Sequence, residues 1–391
     1  MSVLLASILL FVLSFTTVVI VYPTVCRAAV RNGIIDNPGE RKLQKQPVPV
    51  AGGIAVFAGV AAGLLVGDMF FTIWKVSVLL SSMLVLLIIG VTDDIKTLTP
   101  KIRVLIEILV TYMFITGTDL FIGNFNTLWG IEELPLWVAY VISIVAGVGI
   151  LNAMNLIDGV DGLCSGFAIV ASIVFAGLFF KLYSPRLGCI GVVCAASILP
   201  FFFHNVFGKK SKMFLGDGGS LVLGLMMIVF VFSAFSNNSP ALRLAGNGVG
   251  SVAIVLAVMS VPVFDTLRVM ASRIIHGCSP FLPDNNHLHH DFIKFGFSHL
   301  ATTLCMIVLD LLVLLSWRIA YDCGGSVDVQ FYAVLGSAIL VTLGTHLILK
   351  AALNREDSGI HCFLVKVGQK SRAFEKTKFW ASMERIADKR F

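Results

Sequence analysis

Apolar residues in this chain run in blocks of 17 to 23 with almost no charge inside them. The blocks lie near 2–24, 50–67, 73–92, 104–123, 135–152, 163–180, 187–203, 219–236, 248–265, 300–318 and 331–350. Each is long enough, as a helix, to cross a hydrocarbon core of roughly 30 Å. The pattern predicts an all-α polytopic membrane protein of about eleven transmembrane helices. The opening block, "MSVLLASILLFVLSF", lacks a basic leader and a small-residue cleavage site, so it reads as a retained helix and not a signal peptide. Two units follow from the pattern: an integral membrane domain over 1–350 and a basic tail over 351–391.

Composition sharpens this only slightly. Hydrophobic residues make up 57% and charged residues 13% of the 391 positions. The eight cysteines show no CxxC spacing, which argues for packing roles over a redox or metal framework. The formal net charge of +6 matters through its placement. Assigning successive loops to alternate sides puts 24 of the 29 Lys and Arg on one face, ten of them in the segment from Lys350 onward. Basic loops stay in the cytoplasm, so the N-terminus is expected outside and the tail inside. No nucleic-acid partner is expected from these membrane-flanking charges.

Polar residues collect at the ends of the predicted helices on that same face. "GVTDDIKTLTPKIR" leaves the third helix, "LNAMNLIDGVDGL" joins the fifth and sixth, "FHNVFGKKSKMFLGDGGS" joins the seventh and eighth, and "PVFDTLRVMASRIIHGCSPFLPDNNHLHH" follows the ninth. The opposite loops are short and carry little chemistry. Convergence of this kind makes a site. The rival is a transporter of an ion or anionic solute, which needs ionisable groups near the bilayer midplane. Here Asp310 is the one clear mid-helix charge, and no internal repeat is evident.

Asp93, Asp94, Asp158, Asp161 and Asp217 supply five carboxylates to one surface. Mg²⁺ takes one or two such carboxylates together with substrate phosphates. Glycines flanking the acids in "IDGVDGL" and "LGDGGS" let backbone N–H groups approach a ligand, although Asp and Gly are also ordinary turn formers. Arg268, Arg273, His287, His289 and His290 point to an anion such as a diphosphate. Zinc is the alternative for the histidines, but no fourth defined ligand accompanies them. The loop carrying them reads as solvent-facing.

The four motifs, in this order and at these membrane positions, resemble the polyprenyl-phosphate N-acetylhexosamine-1-phosphate transferases over roughly residues 1–350. They are "TDD" at 92–94, "NAMNLIDGVDGL" at 152–163, "FLGDGGSLVLG" at 214–224 and the segment 262–290. The H-x-H-H form of His287, His289 and His290 is similar to the WecA/TagO-like branch, related to MraY. The resemblance implies a bacterial inner-membrane enzyme whose active site faces the cytoplasm. It would transfer a sugar 1-phosphate, GlcNAc-1-phosphate in the first instance, from a UDP-N-acetylhexosamine to undecaprenyl phosphate. The products are undecaprenyl-diphospho-sugar and UMP, the initiating step of a cell-envelope polysaccharide such as lipopolysaccharide. Mg²⁺ is the implied cofactor, with Mn²⁺ as a substitute, and a homodimer is admitted by the reading.

Carried over by motif, the resemblance implies Asp217 as the metal carboxylate with Asn155 close by, and Asp93 and Asp94 beside the acceptor phosphate. It implies Asp161, Asn205 and Phe214 around uridine and Asp158 near the diphosphate or sugar. His287, His289, His290 and Arg268 would hold the diphosphate, with Arg273 nearby. His289 joins the three named acids, Asp93, Asp94 and Asp158, as a catalytic candidate, and Lys45 is the basic residue of the first cytoplasmic loop. Two departures stand out: Glu107 where the family often has Gln, and a tail from Ala351 with no family counterpart. That tail reads equally as a basic amphipathic helix on anionic lipid or as a solvated helix.

Overall fold

A computed structural model describes residues 2–38, 46–71, 75–237, 248–279 and 286–391. Lys45 and the first part of the histidine loop, 280–285, lie outside the described residues. In a hydrocarbon medium each backbone N–H and C=O must be satisfied within its own segment, so the apolar blocks become helices. They are α1 (Val3–Arg31), α2 (Gly52–Phe71), α3 (Val76–Lys96), α4 (Pro100–Thr118), α5 (Leu136–Leu156), α6 (Leu163–Lys181), α7 (Pro185–Phe207) and α8 (Gly216–Phe235). There follow α9 (Ser251–Val258), α10 (Ser260–Ile275), the short α11 (Leu288–Lys294), α12 (His299–Asp322) and α13 (Val327–Ile339). A π-helical turn, Leu340–Gly344, joins α13 to α14 (Thr345–Leu353), and α15 (Gly359–Phe374) and α16 (Lys378–Ala387) close the chain.

All eleven predicted blocks are helical, but they are not eleven equal spans. Among the described residues nine helices are long and apolar enough to cross a membrane, counting Val327–Leu353 as one. α4 has the length but carries Lys101, Arg103 and Glu107 in its first half. The ninth block, expected as one helix, is broken after Val258, and α9 and α10 meet at a 73° bend. The cause is visible at the break. Asp310, 5% exposed on α12, accepts hydrogen bonds from the Ser260 hydroxyl at 2.8 Å and from the Val261 N–H at 3.1 Å. It thereby satisfies, beside the Ser260 hydroxyl, the Val261 backbone N–H at the start of α10 that a continuous helix would have used internally. Replacing Asp310 by Ala leaves two buried donors without a partner, each costing about 1–3 kcal/mol. We expect a lower melting temperature and yield in detergent for Asp310→Ala, with activity per folded molecule close to wild type; Asp310→Asn, which keeps an acceptor oxygen, should fall between.

α8 is the hub. Its apolar surface continues all round the helix, and accordingly its whole span is buried, with α2, α3 and α5 packed about it. Close approach depends on glycine: a Cβ on Gly53 would lie 2.4 Å from the Gly219 backbone, and one on Gly90 2.2 Å from the Gly218 nitrogen. Outside the helices there is a two-stranded antiparallel ribbon, β1 (Ile35–Asp36) with β2 (Val48–Pro49). β2 continues into a stitch to the start of α8. Phe214 N donates to Pro49 O at 2.8 Å, while Gly52 N and Gly53 N donate to the carbonyls of Phe214 and Leu215, each at 2.9 Å. "PVPVAGG" therefore serves to fix the backbone that presents Phe214 and Asp217.

Candidate active site

α8 starts at Gly216, whose φ of +75° is a left-handed conformation that favours glycine. A Cβ there would also sit 2.6 Å from Asp94 Oδ2. The turn sets Asp217 in the first turn of α8, and the Asp217 N–H donates to both oxygens of Asp94 at 3.1 Å. Asn155, at the end of α5, donates to Asp217 Oδ1 at 2.7 Å and to Ser220 Oγ at 2.9 Å. Arg103 holds the other side. Its Nη1 donates to Asp217 Oδ2 at 3.2 Å and Asp93 Oδ2 at 3.4 Å, and its Nε to Glu107 Oε1 at 3.1 Å. Asn152 completes the row by donating to Glu107 Oε2 at 2.6 Å. Asp93 also accepts from the Leu98 N–H, closing the end of α3. The two adjacent aspartates are thus unlike: Asp93 is tied into α3 and Arg103, whereas Asp94 faces a cavity.

The loop between α5 and α6 brings Asp158 and Asp161. Burial, and then the charges of Asp217, Asp94 and Asp161, push the Asp158 acid well above the usual carboxylate range. Asp161 goes the other way. Burial would raise it, but the His299 hydrogen bond and the Lys212 charge outweigh that and hold it below the ordinary value. Lys212 Nζ lies 2.6 Å from Asp161 Oδ2 and 5.8 Å from the Phe214 ring centroid. Asn205 donates to Met213 O at 3.0 Å and accepts from the Gly162 N–H at 2.7 Å, which locks this loop to the one before α8.

The histidine segment is not solvent-facing, contrary to the expectation from its polarity. His287 is 3% and His289 1% exposed, because α11 packs Leu288 and Phe292 inward against α12 and α14. Asp265, fully buried on α10, organises it. Its carboxylate accepts from His287 Nδ1 at 2.9 Å, from the Leu288 N–H at 3.2 Å and from Arg268 Nη2 at 2.7 Å. Arg268 donates further to Asn286 O at 2.5 Å. Burial, reinforced by the neighbouring imidazoles, keeps His289 and His290 neutral. Both ring nitrogens of His289 and Nε2 of His287 are buried without a partner among the described residues. His289 Nε2 also abuts the aspartate loop: a Cβ on Gly159 would come within 3.0 Å of it.

One cavity of about 1350 Å³ opens among these elements. It exceeds the ~300–1,000 Å³ of a usual small-molecule site. Of the residues predicted from sequence, Asp94, Asp158, Asp161, Asn205, Phe214 and His290 line it. Asp217 directly follows the lining residue Gly216, with Asn155 and Asp93 behind it in the Arg103 network. His287, His289 and Arg268 sit behind His290. Arg273 is buried near the end of α10 and does not reach the cavity.

Four participants went unrecognised in the sequence. Arg103 and Asp265 carried a signal, an i,i+4 pair with Glu107 and an i,i+3 pair with Arg268. Lys212 and His299 carried none, since only the fold brings them to Asp161.

Among the described residues no three His, Cys, Asp or Glu side chains form a ready-made metal cage. Mg²⁺ does not need one, because it binds through one or two carboxylates and completes its shell with water and phosphate. Asp217 beside Asp94, with enough negative charge to push Asp158 upward, is a donor set suited to such a hard dication.

Residues 76–234 match the family described as Glycosyl transferase family 4. A Bacillus subtilis (strain 168) protein, named "Probable undecaprenyl-phosphate N-acetylglucosaminyl 1-phosphate transferase", is 31% identical over 300 residues, 76% of this chain and 80% of its own length. The undecaprenyl-phosphate alpha-N-acetylglucosaminyl 1-phosphate transferase of Yersinia pestis is 29% identical over 70% of this chain and 73% of its own. The protein of that name from Escherichia coli (strain K12) is 28% identical over 74% and 77%. With 31% identity over 76% of its length, the chain belongs to the polyprenyl-phosphate N-acetylhexosamine-1-phosphate transferases of glycosyl transferase family 4.

Proposed function

We propose that this protein transfers GlcNAc-1-phosphate from UDP-GlcNAc to undecaprenyl phosphate, releasing UMP, at the cytoplasmic face of a bacterial inner membrane. One observation carries the reading: residues from four separate motifs, Asp94, Asp158 with Asp161, Asn205 with Phe214, and His290, line a single cavity at one end of the bundle. The clustering of basic loops at that end supports its cytoplasmic placement. A soluble anionic donor can enter there, while the acceptor phosphate hangs from lipid at headgroup depth.

In the reaction an oxygen of the acceptor phosphate attacks the sugar-bearing phosphorus of the donor. The bridging P–O bond to UMP breaks, and UMP leaves with that oxygen. A lipid phosphate whose second pKa is about 6 is largely dianionic at neutral pH, so it needs little help from a base. Asp94 therefore acts by placing the nucleophile and shaping the metal site, more than by removing a proton. Asp161, held by Lys212 and His299, Asn205 and Phe214 receive the uridine. The neutral imidazoles of His289 and His290, oriented by His287, Asp265 and Arg268, donate hydrogen bonds to the diphosphate. The single N–H of neutral His289, buried without a partner among the described residues, gains one when an anion is present. Mg²⁺ held by Asp217, with Asn155 alongside, would neutralise the diphosphate and the leaving UMP. Lys45 is assigned to the same anion by motif alone.

One phosphoanhydride replaces another of similar energy, so the reaction should run backwards. Purified protein given undecaprenyl-diphospho-GlcNAc and labelled UMP should form labelled UDP-GlcNAc. EDTA should stop the exchange, and Mg²⁺ or Mn²⁺ should restore it. Movement of a solute into vesicles without any such exchange would establish the transporter reading instead. Running the forward assay with a panel of labelled UDP-sugars identifies the hexosamine.

A further inference from the structure

The segment beyond Leu353 is neither loose nor laid on the lipid alone; it folds back beneath the bundle. Three sets of contacts hold it. The Asp388 carboxylate accepts from three successive backbone N–H groups, those of Lys209 (3.2 Å), Lys210 (3.0 Å) and Ser211 (2.9 Å). The Trp380 ring packs 4.9 Å from Phe207, and the Phe391 ring packs against Tyr22 and His204 at 6.0 and 5.8 Å. Gly368 lies directly on the backbone of Phe295–Phe297, and Ser371 Oγ accepts from the Ser298 N–H at 2.9 Å.

These anchors grip two parts of the site. The turn at 209–211 precedes Lys212, which pairs with Asp161. The 295–298 turn precedes His299, which pairs with the same carboxylate. Along the same helices, Arg372, Glu375, Lys376, Glu384 and the anchor Trp380 form part of the wall of the cavity that Asp161, Asn205 and Phe214 also line. The wall is not a plain positive surface. Cations alternate with carboxylates, a pattern that suits a ligand carrying both phosphates and sugar hydroxyls.

We propose that the C-terminal helices are a working part of the donor pocket, in which Asp388 is a positioning residue for the Lys212–Asp161 pair and Arg372 and Lys376 bind the phosphates of the nucleotide sugar. This rests on the transferase reading given above. A carboxylate taking three backbone N–H groups fixes the turn far more tightly than side-chain packing alone, because hydrogen bonds to a charged acceptor are the strong ones. Its loss should loosen the nucleotide end of the site and leave the acceptor end as it was.

The test is initial-rate kinetics on the full chain in detergent, varying UDP-GlcNAc and undecaprenyl phosphate separately. Asp388→Ala should raise the donor KM about tenfold with the acceptor KM unchanged, and Asp388→Asn, which keeps an acceptor oxygen, should recover part of it. Arg372→Gln combined with Lys376→Gln should also raise the donor KM. Both side chains are exposed, so this variant should melt with the wild type. Donor KM values equal to wild type in all three variants would overturn the proposal. So would a loss confined to kcat that tracks a lower melting temperature in Asp388→Ala, together with an unaffected double variant. A wild-type protein that transfers nothing in this assay would instead defeat the transferase reading itself.

Discussion

Asp217→Ala should abolish detectable transfer while leaving the fold intact. Removing a group that stabilises developing charge inside an active site typically slows turnover by roughly 10²–10³. Here the loss should reach at least the upper end, because the carboxylate that would anchor the dication is gone. Stability should not suffer in proportion. Asp217 stands among Asp93, Asp94 and Asp158, so its removal relieves like-charge repulsion, and Arg103 keeps Asp93 and Glu107 as partners. The expected signature is therefore a melting temperature in detergent equal to or above wild type with no measurable UMP release. Wild-type protein stripped with EDTA should show the same inactivity and recover with Mg²⁺, whereas Asp217→Ala should not recover at any Mg²⁺ concentration. Substantial activity in this variant would move the metal away from Asp217.

The second large effect comes from a residue that bears no chemistry. Gly90→Ala should cost about 100-fold in turnover. The added Cβ would lie 2.2 Å from Gly218 N, 2.3 Å from Gly218 Cα and 2.5 Å from Asp217 C, all of them backbone atoms. No flexible side chain can yield, so α3 and α8 must separate by about 1 Å. That gap lies directly under the contact between Asp94 and the Asp217 N–H. A misplacement of about 1 Å is enough to lose roughly 10² in rate, and the overpacking itself should cost about 1–3 kcal/mol of stability. Gly177 supplies the comparison: a Cβ there meets nothing within 4 Å. Gly177→Ala should match wild type in both turnover and melting. Equal activity in Gly90→Ala and Gly177→Ala would show that the α3–α8 spacing does not set the geometry of the site.

The sequence by itself determined the class of the molecule and most of its reactive groups. Apolar blocks of bilayer length admit few structures other than helices, and acids, histidines and arginines concentrated at the ends of those helices mark the site whatever the packing. Asp94, Asp158, Asp161 and His290 were identifiable on those grounds, Asn205 and Phe214 only through the family resemblance, and all six line the cavity. The tertiary structure decided what those grounds leave open. It separated Asp93, tied to Leu98 and Arg103, from Asp94, which faces the cavity, although the two are adjacent in sequence. It buried two of the three histidines and gave Asp265 the task of orienting one of them, His287. It bent the ninth helix at a carboxylate fifty residues away. It also turned the basic tail from a surface segment into a wall of the site. The physical reason is common to these cases. Hydropathy and motif depend on residue type and short spacing, which one strand of sequence contains. Which oxygen meets which donor depends on how closely two helices approach, and at Gly90 and Gly218 that is set by the absence of a side chain, which only the partner helix makes meaningful.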